Sequence, residues 1–185
     1  GIDDLDAIIK ANYWCNEMGL DTISAGATIA AAIELHEKGY IKDDELDGLS
    51  LEFGNGTDIV EWTKRIGRSE GLGKKMAEGS YRLAESYGAS ELSMTVKKLE
   101  IPAYDPRGIQ GQGLQYATSN RGGCHVRGYL ISPEILGLPE QLDRFKLEGK
   151  AMWAKIFQDL TASIDSLGLC LFTSFAFGAE DYANM

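Results

Sequence analysis

The chain has 185 residues, 44% of them hydrophobic and 25% charged, with a formal net charge of −10. That length makes one ordinary domain or two small ones, and the apolar fraction can furnish a core, which excludes a disordered chain. The acidic balance excludes a nucleic-acid binder, which needs a basic footprint to displace counterions, and a general attraction to anionic membranes. No apolar run approaches the roughly 20 residues that span a bilayer, and Gly1-Ile2-Asp3-Asp4 is acidic where a signal peptide would be basic. Cys15, Cys124 and Cys170 are few, odd in number and far apart, so a disulfide scaffold is excluded and the cytoplasm is the expected compartment. Both ends are expected to be cut: the chain opens without Met inside an amphipathic pattern, and Glu180 to Met185 carries no turn signal.

Residues 3–18 read as a helix that Asp3 or Asp4 can cap, with Leu5, Ile8, Ile9, Asn12 and Tyr13 near helical spacing. Gly19 ends it. A second, Ala- and Gly-rich helix starts at Asp21-Thr22 and stops before Gly39. After a polar stretch over 40–56, Thr57-Asp58 is expected to cap a helix through Trp62 and Ile66. A further helix is expected from about Ser69 to Tyr87. Residues 88–107 read as irregular, because Pro102 and Pro106 disfavour helix in the residues before them. Residues 108–119 can form a helix despite Gly108, Gly111 and Gly113, each costing about 1 kcal/mol relative to Ala. Three such glycines suggest a segment pressed against another backbone or a ligand. A loop over 120–130 and a turn or short helix over 132–139 come next. The longest helix is expected from about Leu142 to Ser166, stopped by Gly168 and followed by an apolar stretch, Leu169 to Phe177. No stretch alternates long enough to demand a strand, so the expected class is all-α. With no clean linker, one domain over 1–185 is expected, and 88–107 is where it would divide into two lobes.

The most informative feature is an internal echo. Asn16-Glu17-Met18-Gly19-Leu20-Asp21 repeats as Asp165-Ser166-Leu167-Gly168-Leu169-Cys170, each copy closing a helix at its Gly. A polar side chain in the last helical turn, a Gly that permits φ > 0, and a following segment with unpaired N–H groups suit a ligand. The same pattern also describes an ordinary helix ending with its hydrophobic contact. The second constellation is Arg121-Gly122-Gly123-Cys124-His125-Val126-Arg127, where main chain and guanidinium can meet a phosphate or polar heterocycle and His125 can act as general acid or base. The third, Ile101-Pro102-Ala103-Tyr104-Asp105-Pro106-Arg107, is a rigid turn or the wall of a substrate pocket. His36, beside Glu34 and Glu37, reads as solvated, and Cys15 as buried packing. Cys170 is a candidate metal ligand, although the chain has no Cys-x-x-Cys.

Together and in this order, the two turns and the segment from Ile101 through Thr118-Ser119-Asn120-Arg121-Gly122-Gly123-Cys124-His125 resemble the tungsten-containing aldehyde ferredoxin oxidoreductase family over nearly the whole chain. The resemblance implies the helical part of an enzyme that oxidises aldehydes to carboxylic acids and passes electrons to ferredoxin. Its cofactors would be tungsten between two pterins and one 4Fe–4S cluster. Asn16, Leu20 and Asp21 would contact one pterin, and Asp165, Leu169 and Leu171 the other. Arg121, Gly122 and Arg127 would also line the pterin site, His125 would lie near the metal, and Cys170 would be the last of four cluster cysteines. Asn16 stands where the family usually has Asp, and Arg127 where some relatives have Lys. The resemblance further implies that the β-rich domain and the Cys-x-x-Cys-x-x-x-Cys motif of the parent lie upstream of Gly1. The 185-residue chain alone is therefore expected to bind no cluster and to be inactive. A homodimer of the parent stays open, as do two other readings: a cofactor-free helical binding or scaffold domain, and a relative that reduces aromatic acyl thioesters or carboxylates.

Overall fold

The computed structural model describes residues 1–175 and divides the chain into two units, Gly1–Glu100 and Ile101–Met185. Helices dominate both. Asp4 opens α1 (Leu5–Met18), its Oδ1 accepting the Ala7 N–H at 3.0 Å. The large apolar residues at helical spacing are not the ones buried. Leu5, Ile9 and Tyr13 are exposed, while Ala7, Ala11 and Cys15 are buried. Small side chains let α1 lie close to α3 (Gly56–Arg68), and the larger ones fall on the opposite face. The start of α3 also differs from expectation: Asn55, not Thr57 or Asp58, caps it, through Oδ1 to the Asp58 N–H at 3.1 Å.

The first core forms where α2 (Thr22–Glu37) meets α3, α4 (Leu72–Met76) and α5 (Ser80–Ser86), around Ile29, Leu35, Trp62, Ile66, Met76 and Leu83. Each such side chain contributes about 1.5–3 kcal/mol by leaving water. Trp62 is 1% exposed and donates its Nε1 hydrogen to the Ser50 carbonyl at 2.8 Å, so its burial leaves no polar atom unpaired. The single helix expected from Ser69 to Tyr87 is two short ones. Ser69 is the left-handed cap of α3, and Gly79 at φ 88° breaks the run between α4 and α5. Within the stretch read as irregular, β1 (Thr95–Val96) pairs antiparallel with β2 (Leu99–Glu100). Lys97 and Lys98 make its turn at φ 53° and 64°.

The second unit is built on α6 (Gln110–Thr118), a π-helical turn at Ser132–Leu136, and α7 (Lys150–Ser166). α7 starts later than Leu142 because Gly149, at φ 76°, is its left-handed N-cap. Leu130, Ala154 and Phe157 form the core, with Leu114, Tyr129, Trp153 and Leu160 packed around it. At its centre the Glu134 carboxylate accepts the Gly111 N–H at 2.9 Å and the Gln112 N–H at 3.0 Å, and it pairs with Lys150. One carboxylate thus caps α6 and ties it to the first turn of α7. Two of the three glycines are pressed, against side chains rather than the expected backbone or ligand: a Cβ at Gly111 would stand 2.8 Å from the Glu134 carboxylate, and one at Gly113 2.9 Å from Pro106, while Gly108 has ordinary room. A 3-10 turn, Leu171–Phe175, comes after α7. The expected apolar stretch passes out of the described residues after Phe175, and the run 180–185 lies wholly outside them.

Candidate functional site

The two echoed turns have the same backbone. At the end of α1 the Gly19 N–H donates to Asn16 O at 3.3 Å and the Leu20 N–H to Cys15 O at 2.8 Å. At the end of α7 the Gly168 N–H donates to Asp165 O at 3.0 Å and the Leu169 N–H to Ile164 O at 3.2 Å. The glycines take φ 67° and 71°, and none of the described residues lies within 4 Å of where either would carry a Cβ. This is the Schellman pattern, and it explains each Gly by its left-handed backbone. It also leaves both turns open on the Gly face.

The two turns lead into different surroundings. Asp21 is the N-cap of α2, its Oδ2 accepting the Ser24 N–H at 2.7 Å, and the chain bends by 117° between α1 and α2. Asn16 is exposed and donates one Nδ2 hydrogen to Asn12 O at 2.8 Å, which leaves its carbonyl oxygen and second N–H to meet a ligand. Leu20 packs on the core of its unit. Burial pushes the Cys15 thiol up, and the Asp21 charge adds to that, so Cys15 is an inert packed thiol. A cavity of about 150 Å³ opens beside the turn, lined by Gly19, Leu20, Asp21 and Ser24 and faced by Ala77 and Gly79.

In the second unit the loop after α6 is drawn onto α7. Gln115 donates Nε2 to the Arg127 carbonyl, and Gln158 of α7 donates to Gln115 Oε1 at 2.6 Å. Gly128 permits the approach: a Cβ there would stand 2.3 Å from the Gln115 amide. The clasp puts the Arg127 guanidinium 2.9 Å from the Asp165 carboxylate, in the last turn before Gly168. Arg127 Nε is buried and has no hydrogen-bond partner among the described residues. An orphaned donor beside a half-exposed carboxylate is a matched edge for a ligand that both accepts and donates, as a pterin does. Leu169 and Leu171 are half-buried just beyond.

The structure therefore joins Arg127 to Asp165, which the sequence did not pair. It places Gly122 in the same loop, buried at φ 96°. Arg121 is exposed and donates toward Cys124 Sγ at 3.6 Å. His125 stands against two rings, one from the segment read as a turn or pocket wall: its centroid is 5.5 Å from Tyr104 and 6.4 Å from Tyr129. Burial, followed by a hydrogen bond with Tyr104, pushes the Tyr129 phenol up to about 12, so it stays a donor at neutral pH. Tyr116 donates to Tyr104 O at 3.2 Å and fixes that backbone. The available signal was Tyr104 in the segment read as a pocket wall, and Tyr129 four residues after His125. Cys170 is exposed, and among the described residues no group of three or more His, Cys, Asp or Glu side chains can hold a metal. His36, read as solvated, lies at the surface with its Nε2 2.9 Å from the exposed Asp43 Oδ1.

The family model described as "Aldehyde ferredoxin oxidoreductase, domains 2 & 3" matches residues 1–185. The chain belongs to the aldehyde ferredoxin oxidoreductase family. It is 59% identical over its whole length to the tungsten-containing aldehyde ferredoxin oxidoreductase of Pyrococcus furiosus and 56% identical to that of Thermococcus kodakarensis, covering 31% of each. It is 29% identical, over 68% of its length, to 21% of the aliphatic sulfonate oxidoreductase, WOR-like subunit, of Pyrococcus furiosus. The chain thus spans less than a third of the curated relatives it matches. The all-α expectation agrees with this family and with the helices of both units.

Proposed function

We propose that this chain is the cofactor-holding helical part of a tungsten–pterin oxidoreductase that oxidises aldehydes to carboxylic acids with ferredoxin as electron acceptor. The observation that carries the reading is the pair of identical helix-ending turns, each open at its Gly and each with a polar side chain three residues earlier. When bound, tungsten held by two pterins would supply two-electron redox chemistry. Asn16, Leu20 and Asp21 hold one pterin. Asp165, Leu169 and Leu171 hold the other, with Arg121, Gly122 and Arg127 along its edge. The buried Arg127 Nε would gain there the acceptor it lacks. Cys170 is one thiolate of a 4Fe–4S cluster whose other ligands lie outside this chain, so the 185 residues alone turn over no aldehyde.

His125 donates a hydrogen bond to the aldehyde oxygen, or relays the proton that water gives up, as a water-derived oxygen adds to the carbonyl carbon. Tyr104 and Tyr129 wall the imidazole and restrict its orientation. His125→Asn in the full-length parent is expected to cut turnover by roughly 100-fold or more while tungsten per chain stays level. Activity that survives the change refutes the role of His125. A parent that holds neither tungsten nor iron would instead be a cofactor-free helical scaffold.

A further inference from the structure

The cavity beside the first turn has two walls, and one buried carboxylate stands behind both. Glu100, at the end of β2, is 5% exposed. Its Oε2 accepts the Ser24 hydroxyl at 2.9 Å, and its Oε1 accepts the Ser80 N–H at 2.8 Å and the Ser80 hydroxyl at 2.9 Å. Ser24 belongs to the wall that carries Gly19, Leu20 and Asp21, and Gly79, just before Ser80, belongs to the wall that leads into α5. Ser24 is held twice: its N–H donates to Asp21 Oδ2 at 2.7 Å while its hydroxyl donates to Glu100. A Cβ at Gly79 would stand 3.0 Å from Glu100 Oε1, so the second wall rests directly on the carboxylate. Burying a carboxylate is costly, and charge-assisted hydrogen bonds are the strong ones that offset it. Aligned on two walls of one cavity, they fix its width more stiffly than apolar packing would.

We propose that Glu100 is a positioning residue for the first cofactor turn: by tying Ser24 to Ser80 it holds Asp21 at the distance from Ala77 and Gly79 that a flat heterocycle with donor groups requires. This rests on the pterin reading of that turn. The ligand touches Asp21 and Leu20, and Glu100 acts through Ser24.

The test is made in the full-length parent holoenzyme, reading tungsten per chain by mass spectrometry, released pterin by fluorescence, and Tm. Glu100→Gln and Ser24→Ala are expected to lower tungsten and pterin content about 10-fold, as loss of a residue that orients a ligand typically does. Ser24→Thr keeps the hydroxyl and restores the content. Ser80→Ala removes a buried hydrogen bond to the same carboxylate, but the Ser80 N–H still ties the second wall. It should lower Tm comparably and leave the content within about twofold. Full content in Glu100→Gln and Ser24→Ala, or an equal loss in Ser80→Ala, overturns the proposal. Full content in Asp21→Asn overturns the pterin reading of the turn itself, and the role of Glu100 with it.

Discussion

Lys150→Met removes the cation from a pair whose side chains are 4% and 0% exposed. Met keeps most of the aliphatic stem, so the packing loss is small and the change is electrostatic. It leaves the Glu134 carboxylate buried with the Gly111 and Gln112 N–H groups, at 2.9 and 3.0 Å, and without its ammonium partner. Breaking one side of a buried ion pair costs about 3–5 kcal/mol. The two remaining donors and the positive end of α6 still compensate the anion in part, so the lower end, about 3 kcal/mol, is expected. Urea titration of the chain followed by hydrogen exchange and mass spectrometry separates the units. Amides of α6 and α7 should lose protection, and those of α2 and α3 should keep theirs. A loss below about 1 kcal/mol, the scale of an exposed pair, would refute the argument. So would an equal loss in α3.

Gly168→Ala tests backbone strain alone, and Gly128→Ala, whose own φ is 139°, adds a collision to it. At Gly168 the surroundings are open and only φ 71° resists a side chain, so about 1 kcal/mol is expected by thermal denaturation. Gly128→Ala drives a methyl to 2.3 Å from the Gln115 amide and should cost more, because the clasp on Arg127 must open. Equal Tm shifts would refute that distinction. Hydrogen bonds from Arg107 hold the exposed Asp105 carboxyl at about 2. A depressed folded value stabilises above the ordinary carboxyl range and is lost as pH falls through it. The urea midpoint of Asp105→Asn should therefore lie below that of the parent at pH 6, and the gap should close as pH falls from about 4 toward 2. A gap that does not change with pH would mean the pair contributes nothing through charge.

The candidate site was legible where its chemistry is local in sequence. Asn16 to Asp21 and Asp165 to Cys170 each form a turn through hydrogen bonds spanning three to five residues, so Gly19 and Gly168 announce themselves. Helix existence was legible on the same grounds; element boundaries were not. Gly79 and Gly149 break runs whose apolar spacing continues past them, and the hairpin at Lys97-Lys98 carries none of the Asn-Gly chemistry that signals such a turn.

By itself the sequence determined the class, the order of the helices, the two open turns and the family they resemble. Only the tertiary structure decided which face of α1 is buried, because Ala7, Ala11 and Cys15 win by close approach where Leu5, Ile9 and Tyr13 would win by transfer energy alone. It also decided the partners of the charged side chains. Glu100 finds Ser24 across 76 positions, Arg127 finds Asp165, and Glu134 finds Lys150. Such pairs leave no periodic trace in the sequence, because a hydrogen bond or ion pair between distant residues constrains only two positions and nothing between them.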